Sequence, residues 1–462
     1  MLIFFLNVDF EKESLMSAKL LGIFSVIITS CMLSGCGSSE GESGSVTAVQ
    51  TDSASSLGGE VAYQRYVTQN HVPLISLTDE NSVNDLDTLA ASIGERRIVQ
   101  LGESTHGSKQ MSQIKTRIIK YLHKNHDFNV VAFESSAFAC NQDVNQKREL
   151  ASRDLLQGCL FSLWHSHEVL DLFEYIVNTQ STDRPLKVVG FDVQLSGLLD
   201  TPSYMTEYFE SAIDKEGVLT TLDIESLFLD IAQISRLSYS CEIQGNSQSC
   251  DTILSVLPDA QAAIDKLQAL FTDSTMTSKT ARFLATSFSR MLGLEEVRVG
   301  GTIAEGMASR DQSMADNVIQ LATELYPNDK IAIWAHNTHI AEYFSDHRTQ
   351  YPLMGMHLNE YFGDDLFSIG LYMNQGASAG NSRESLSVRP HNPSSLESLT
   401  TIVNQDVLYL PFSKINQPGL EDDWLHQPYE TKYWGTTNVQ VELAKVYDGI
   451  IMVKSSTLPD YL

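Results

Sequence analysis

The chain is short of positive charge and, after its N-terminal segment, of long apolar runs. It has 31 Lys and Arg against 58 Asp and Glu, a formal net charge of −27. A surface this acidic repels phosphate backbones, so nucleic acid is not an expected partner. No later apolar run reaches the ~18 residues of a membrane-spanning helix, so no internal span is expected. With 462 residues, 42% of them hydrophobic, the chain can instead bury a large core.

The N-terminus has the pattern of a targeting signal. The segment Leu20–Leu33 is almost wholly apolar and follows Lys19. It ends in Leu33-Ser34-Gly35-Cys36, which resembles a bacterial lipobox with cleavage before Cys36 and lipid on that thiol. Acidic residues stand where a signal peptide carries basic ones, so Met16 is a candidate true start. A non-lipidated secretory signal is the alternative.

The signal sets the expected domain boundaries and location. Residues 1–36 are predicted to be the lipoprotein signal, 37–60 a flexible Ser/Gly-rich tether and 61–462 the folded domain. The membrane contact would be the lipid on Cys36, and we expect an outer-membrane lipoprotein facing the periplasm or the cell surface. Nothing in the sequence indicates an oligomeric state.

Cysteine usage agrees with an oxidising compartment. Four cysteines follow Cys36, and none has the Cys-x-x-Cys spacing that is typical of a zinc site. Four cysteines permit three pairings. We expect the two local pairs, Cys140–Cys159 and Cys241–Cys250.

Four short apolar runs each end on an acidic or imidazole side chain. Such β-branched runs, separated by helix-like stretches, are typical of buried parallel strands. With their terminal residues they are Ile98–Glu103, Val130–Glu134, Val188–Asp192 and Ile331–His336. Because ligands bind outside the carboxyl ends of strands in open α/β sheets, one rim should gather six titratable side chains. They are Glu103, His106, Glu134, Asp192, His336 and His339.

Helical periodicity between these runs completes the pattern. It occurs in Lys109–Asn125, Ser166–Thr179 and Arg310–Tyr326. Asp311 would lie near the start of the last helix, where a carboxylate suits the helix dipole. From about residue 201 to 306 only helices are indicated. We predict a three-layer α/β/α fold with a mainly parallel sheet and a helical insertion over its active edge.

The strongest catalytic candidate is His106, in Gly102-Glu103-Ser104-Thr105-His106-Gly107. Glycines on both sides would let the backbone turn sharply after a strand. Glu103 is close enough in sequence to orient or charge the imidazole. The alternative is a polar histidine without a catalytic role.

A second element, His336-Asn337-Thr338-His339, directly follows the last strand. Its two imidazoles could bind a metal ion, hold a leaving group or stabilise an oxyanion. The alternative is a helix cap with solvent-exposed imidazoles. Glu134 is a candidate to support one of these histidines, and Asp192 would lie further from the reaction.

A common hydrolase signature also occurs, at Gly376-Ala377-Ser378-Ala379-Gly380, followed by Asp422 and His426 in triad order. A nucleophile elbow needs a helix directly after its serine. The sequence after Ser378 is polar and turn-rich, so we do not expect this serine to be a nucleophile.

The motifs resemble, in order, those of the erythromycin esterase family. Residues 102–107 resemble its Gly-Glu-Ala/Ser-Ser/Thr-His-Gly motif, and Trp334–His339 its Trp-Ala-His-Asn-x-His motif. Further family segments are similar to Arg310–Asn317, Met354–Leu358 and Gly363–Asp365. The resemblance extends from about Leu74 to Val453 and implies an α/β/α core and ester hydrolysis without a serine nucleophile. The histidine matching His106 would activate water, aided by the glutamate matching Glu103.

The chain departs from the family pattern where substrate would be recognised. An arginine that usually follows the catalytic histidine by nine residues is replaced by Lys115, with Arg117 two positions on. Lysine cannot offer the planar fork of a guanidinium. Ala308-Ser309 also replaces a frequent Trp-Asn pair. The candidate substrate-binding residues are Lys115, Arg117, Asn337 and Asp192.

We therefore predict a carboxylic ester hydrolase that acts on a small-molecule ester or macrolactone. His106 would be the general base, supported by Glu103, while His336 and His339 would stabilise the oxyanion or protonate the leaving alkoxide. Glu134 would support one of these two histidines. No cofactor is required, although a divalent metal held by the cluster could activate the water instead. The runner-up is a metal- or haem-binding lipoprotein that uses the same His/Glu cluster.

Overall fold

The computed structural model describes residues 63–78, 84–141, 150–195, 198–343, 351–393, 395–412 and 423–462. The predicted signal and tether lie outside the described residues, as does Asp422 of the triad pattern. Within the described ranges, no helix combines the length and the apolar character that crossing a membrane requires.

A central sheet of nine strands organises the molecule, and a separate two-stranded hairpin lies beside it. The strands in chain order are β1 Val72–Pro73, β2 Ile98–Leu101, β3 Phe128–Ser136, β4 Lys187–Asp192, β5 Lys330–Trp334, β6 Leu366–Ala379, β7 Ser385–Val388, β8 Val407–Pro411, β9 Tyr429–Tyr433, β10 Thr437–Val441 and β11 Gly449–Ser456. The sheet order is β1-β8-β11-β6-β2-β5-β3-β4, with β7 paired to β6, while β9 and β10 form the hairpin.

The strands from β11 across to β4 all run parallel. Three antiparallel pairings complete the sheet, β8 with β11, β1 with β8 and β7 with β6. Alternate residues of one strand enter two different cores. In β3, Val130 and Ala132 pack on one face, whereas Val131 and Phe133 pack on the other. A strand buried on both faces must be apolar at every position, which explains the continuous runs in the sequence. The predicted α/β fold with a mainly parallel sheet is confirmed.

The helices cover both faces of the sheet. In chain order they are α1 Asn84–Ile93, α2 Lys109–His126, α3 Ser152–Cys159, α4 His167–Thr179, α5 Pro202–Glu216, α6 Ile224–Glu242, α7 Ser247–Ala269, α8 Met276–Gly300, α9 Ile303–Gln320, α10 Asn337–Ile340, α11 Met354–Phe362, α12 Leu399–Ile402 and α13 Leu443–Val446. The first two predicted helices match α2 and α4 to within one residue.

The predicted start of the third helix is wrong. Helix α9 begins at Ile303, because Thr302 and Glu305 form a capping box there. Asp311 therefore lies in the third turn, too far from the N-terminus for the helix dipole to explain its presence.

The predicted helical insertion is confirmed. Helices α5 to α8 follow β4 without an intervening strand and lead into α9. They pack through an aromatic cluster in which Phe228 lies 5.2 Å from Phe209 and 5.3 Å from Phe288 between ring centroids. Both predicted disulfides are present, with Cα–Cα distances of 4.2 Å for Cys140–Cys159 and 4.9 Å for Cys241–Cys250.

Ser378 does not lie on a nucleophile elbow. It is a fully buried residue of β6, pairs with Leu386 of β7, and is followed by a second strand instead of a helix. The structure thus agrees with the expectation that it is not a nucleophile.

The aromatic cluster predicts a large stability cost for one truncation. Phe228→Ala should lower the free energy of unfolding by about 3–5 kcal/mol, because a fully buried ring is replaced by a cavity. The matched control is Leu229→Ala at the next position, which is 51% exposed and should change stability by no more than about 0.5 kcal/mol. Urea unfolding measures both; equal losses would show that the insertion does not pack as described.

Candidate active site

The carboxyl ends of β2, β5, β3 and β4 lie side by side at one edge of the sheet. This adjacency brings the six predicted side chains together. The imidazole centroids of His106 and His336 are 5.2 Å apart, and those of His336 and His339 are 6.5 Å apart. His336 and His339 are buried, so the alternative of a cap with solvent-exposed imidazoles is wrong. The side chain of His106 is the most accessible of the three, at 11%.

Glu103 receives three hydrogen bonds although it is fully buried. The donors are His106 Nδ1 at 2.7 Å, Lys115 Nζ at 3.0 Å and Trp164 Nε1 at 3.0 Å. Burial disfavours the charged carboxylate, but the charge of Lys115 and the bond from His106 outweigh it and lower the pKa of Glu103. Since a carboxylate only accepts, the His106 proton lies on Nδ1 and Nε2 keeps its lone pair. Among the described residues, His106 Nε2 has no hydrogen-bond partner.

Lys115 provides the charge that lets Glu103 stay ionised in the interior. Its ammonium is fully buried, also donates to the Ala335 carbonyl at 3.4 Å, and lies 4.2 Å from the centroid of the Trp334 ring. Burial lowers the pKa of Lys115 to about 8, against the opposing effect of Glu103. The structure places this predicted substrate-binding residue behind Glu103, where its charge serves the carboxylate.

The three other candidate substrate-binding residues are also occupied by protein partners. Arg117 forms an ion pair with Asp85 at 2.6 Å, outside the histidine cluster. Asn337 bridges to β6 by donating to the Leu371 carbonyl at 2.9 Å and accepting from the Leu371 amide at 3.0 Å. Asp192 accepts from a guanidinium. These contacts position the site, and Arg117 does not belong to the cluster.

That guanidinium is Arg310, which was not among the predicted site residues. It donates to both Asp192 oxygens, at 3.2 and 2.6 Å, and to Glu134 Oε1 at 3.1 Å. Burial opposes its charge, but Asp192 and Glu134 raise the pKa of Arg310 further above its usual value. Glu134 also accepts from the His336 amide at 2.9 Å. Arg310 thereby ties the ends of β3, β4 and β5 into one network.

His339 is held as a cation between two carboxylates. Its Nδ1 lies 2.8 Å from Asp311 Oδ1 and its Nε2 lies 3.3 Å from Glu134 Oε1. Burial disfavours the charge, but Asp311 and Glu134 raise the pKa of His339 to about 10. Asp311 is thus a histidine partner, and it also accepts from the Met354 amide at 2.9 Å.

His336 has the opposite protonation state. Its Nδ1 accepts from the Thr338 amide at 3.2 Å, so its proton lies on Nε2, which donates to the Ser104 carbonyl at 3.3 Å. Burial lowers the pKa of His336 to about 3, and the positive charge of His339 acts in the same direction. His336 is the N-cap of the short helix α10 and is neutral at physiological pH.

The glycines flanking the Glu103–His106 turn are required for close packing. Neither has a positive φ, so the expected sharp turn is not their reason. A Cβ at Gly102 would overlap Asn337 Oδ1, and one at Gly107 would overlap the backbone of Ala379. The absence of a side chain at these two glycines therefore lets the turn pack closely against Asn337 and Ala379.

The β9–β10 hairpin covers the imidazoles. Trp434, at its turn with φ 55°, stacks on His336 at 4.9 Å and meets His106 edge-on at 5.2 Å between ring centroids. The cavity left beside His336, lined also by Tyr372 and Tyr447, measures about 20 Å³. This volume holds roughly one water molecule. No motif predicted Trp434 or Trp164 as site residues, whereas Arg310 and Asp311 do lie in a segment that resembles the family.

A metal site finds no support in the arrangement of these ligands. Across the ranges that the structure describes, no three His, Cys, Asp or Glu side chains are grouped so that they could hold a metal ion. Their polar atoms are instead engaged with one another, as Glu103 with His106 and Asp311 with His339.

Comparison with known proteins identifies the family. The model of the erythromycin esterase family matches residues 123–456. The chain belongs to the erythromycin esterase family. Membership makes it an erythromycin esterase-like hydrolase and agrees with the predicted resemblance. The matched segment includes Arg310, His336 and His339, and it starts after His106.

The individual proteins that the chain resembles are distant in sequence. The chain is 27% identical over 430 residues to the putative hydrolase YbfO of Bacillus subtilis strain 168, covering 88% of this chain and 93% of that protein. It is 20% identical over 429 residues to an erythromycin esterase type II of Escherichia coli, covering 86% and 99%. A crystal structure of a Bacillus cereus protein superposes with a TM-score of 0.69 at 19% identity, covering 88% and 99%, which shows a shared fold.

The site should show two neighbouring histidines that differ in charge, His339 as a cation and His336 as a neutral imidazole. In ¹⁵N NMR spectra, His339 should stay protonated up to about pH 10 and His336 should stay neutral down to about pH 3. Because the folded pKa of His339 is raised, its stabilising contribution is complete below about pH 6.5 and is lost as the pH rises through about 10. His339→Gln and His336→Gln assign the signals. A neutral His339 at pH 7 would contradict the described pairing.

Proposed function

We propose that this protein hydrolyses a carboxylic ester with water that His106 activates. The observation that carries the proposal is the state of His106: its Nδ1 donates to the buried, charged Glu103, and its Nε2 retains a free lone pair. A histidine in this state can take a proton from water, as a general base must. It is also the most accessible imidazole of the cluster.

In the proposed reaction, His106 Nε2 takes a proton from water as the water oxygen attacks the ester carbonyl. The resulting imidazolium is stabilised by Glu103, whose charge Lys115 keeps in place in the interior. When the tetrahedral intermediate collapses, the same imidazolium returns the proton to the leaving alkoxide. Water and ester then give acid and alcohol without a covalent enzyme intermediate.

The other two histidines would take different roles. His336 carries its proton on Nε2, and the weak bond to the Ser104 carbonyl at 3.3 Å can be exchanged for a bond to the oxyanion. His339 has both nitrogens engaged by Asp311 and Glu134, so we assign it an electrostatic role. Because its pKa is about 3, His336 is almost never in its charged form at neutral pH, and we therefore assign leaving-group protonation to His106.

The substrate is proposed from the family. Relatives named erythromycin esterases make a macrolactone the first compound to test, beside a panel of simple neutral and cationic esters. The net charge of −27 disfavours anionic esters.

His106→Ala should lower kcat/KM for the best ester by roughly 10²–10⁴-fold, because the general base is lost. His357→Ala, at a half-buried histidine of α11, is the matched control and should leave turnover unchanged. Unchanged hydrolysis by His106→Ala would rule out the proposed base. Activity that a chelator abolishes would favour the metal-assisted alternative, and stoichiometric metal or haem without hydrolysis would favour the binding lipoprotein.

We also propose that the protein is lipid-anchored through Cys36, on the strength of the Leu33–Cys36 pattern. Cells expressing the full chain should incorporate labelled fatty acid into it, and Cys36→Ser should abolish the incorporation. Cys31→Ser, within the same apolar segment, should retain the label. Fractionation would place the anchored protein at the outer membrane; label retained in Cys36→Ser would contradict the proposal.

A further inference from the structure

The β9–β10 hairpin has the position of a lid. It is not part of the nine-stranded sheet, and its turn residue Trp434 contacts the rings of both His106 and His336. The cavity of about 20 Å³ beneath it holds roughly one water molecule. No ester fits into this space, so a substrate carbonyl cannot reach His336 while Trp434 stacks on that imidazole.

A buried carboxylate, that of Glu397, is one of the contacts between this hairpin and the main body. Glu397 Oε1 accepts from Thr431 Oγ1 at 2.6 Å and from the Lys432 amide at 2.7 Å. Both residues lie on β9, directly before Tyr433 and the turn residue Trp434. Glu397 itself lies in a short turn, Leu396–Ser398, that packs on β6 and β11 of the central sheet. The hydrogen bonds that Glu397 accepts therefore fix the strand that leads into Trp434.

The surroundings of Glu397 contain little charge to compensate a carboxylate. His391 Nε2 lies 3.3 Å from its Oε2. From β9, the Lys432 ammonium is directed to the Arg389 carbonyl at 2.7 Å, and Glu430 acts on that ammonium. From β6 the titratable neighbour is Tyr372. The titratable residue of β11 is Lys454, which pairs with Asp406, and α12 has none.

We propose that Glu397 is a positioning residue that holds the β9–β10 hairpin closed over the active site, and that loss of the proton from the Glu397 carboxyl releases the hairpin. The proposal rests on the proposed function for its effect on turnover. The movement of the hairpin itself does not depend on catalysis and can be measured without a substrate.

The electrostatics of the pair agree with this geometry. Burial raises the pKa of Glu397 from 4.5 to about 7, against the hydrogen bonds from Thr431 and Lys432. Burial likewise lowers the pKa of His391 to about 4. Between these values the pair carries one proton and no net charge. Above about pH 7, closing the hairpin would bury an uncompensated carboxylate, which is unfavourable.

The direction of the pH effect follows from linkage. The closed form has the raised pKa, and an exposed Glu397 in the open form would return to an ordinary value. Closure is therefore most stable below about pH 4.5 and is weakened as the pH rises through about 7. Between these limits the closing equilibrium should fall by up to about 300-fold, a factor of ten for each pH unit between the two pKa values.

The test follows the exposure of Trp434. Its emission is obtained as the difference between the full protein and Trp434→Phe, and acrylamide quenching reports its accessibility. Quenching should increase from pH 5 to pH 8.5 in the parent protein. In Glu397→Gln it should be independent of pH, because the amide can still accept from Thr431 and Lys432 but does not titrate.

The matched control is Glu430→Gln, which removes a half-buried glutamate from the same strand and should keep the parent's pH profile. If Trp434 accessibility does not change with pH in the parent, or changes equally in Glu397→Gln, the proposal is wrong. The second outcome would assign the change to the histidines beneath the indole.

A measurement on the unaltered protein covers the case in which Glu397→Gln does not fold. Hydrogen exchange at the Lys432 amide, corrected for the intrinsic pH dependence of exchange, should lose protection as the pH rises through about 7. Constant protection would overturn the proposal. A pH-dependent hairpin in a protein that hydrolyses no ester would contradict the proposed function alone, whereas hydrolysis with a pH-independent hairpin would contradict this inference alone.

Discussion

The charge of Glu103 inside the protein is the constraint on which the site depends. An isolated carboxylate would not remain ionised there, because burial without a partner costs several kcal/mol. Lys115, itself buried, provides the countercharge, and His106 and Trp164 complete the hydrogen bonds. The same carboxylate fixes the proton of His106 on Nδ1. The position of Lys115 on α2 thus determines which nitrogen of His106 is free for chemistry.

A second network decides the charges of the other two histidines. Arg310 donates hydrogen bonds to both Asp192 and Glu134 and compensates the charge of Asp192. Glu134 and Asp311 both contact His339 and stabilise its positive charge. His336 lies only 6.5 Å from His339 but contacts Glu134 through its backbone amide, so its ring gains no such partner. Two imidazoles from one short segment therefore differ in charge because one faces two carboxylates and the other faces a backbone carbonyl.

The hairpin that carries Trp434 covers the site from outside the nine-stranded sheet. Its strands pair with each other, and its attachment includes Glu397, which is buried with a neutral histidine as its nearest titratable neighbour. A closure that includes a carboxylate in apolar surroundings is most stable while that carboxylate holds a proton. The cover and the catalytic cluster are therefore governed by different titrating groups.

Local patterns were sufficient to predict the four parallel strands β2 to β5, the helices α2 and α4, both disulfides and the approach of Glu103 to His106. Each depends on burial periodicity or on residues close in sequence, which a chain displays directly. The start of α9 was misplaced because a capping box overrode the apolar pattern, and Asp311 was therefore interpreted through the helix dipole instead of through His339. Contacts between residues far apart in the chain place Arg310, Trp164 and Trp434 in the site, where the sequence did not predict them. Such a contact also holds Arg117, a predicted site residue, outside the cluster. The apolar runs in the chain are enough to predict the α/β class and which strand ends carry titratable groups. The charges of those groups follow from the folded molecule, because a pKa depends on the burial and the partners that folding brings from distant segments.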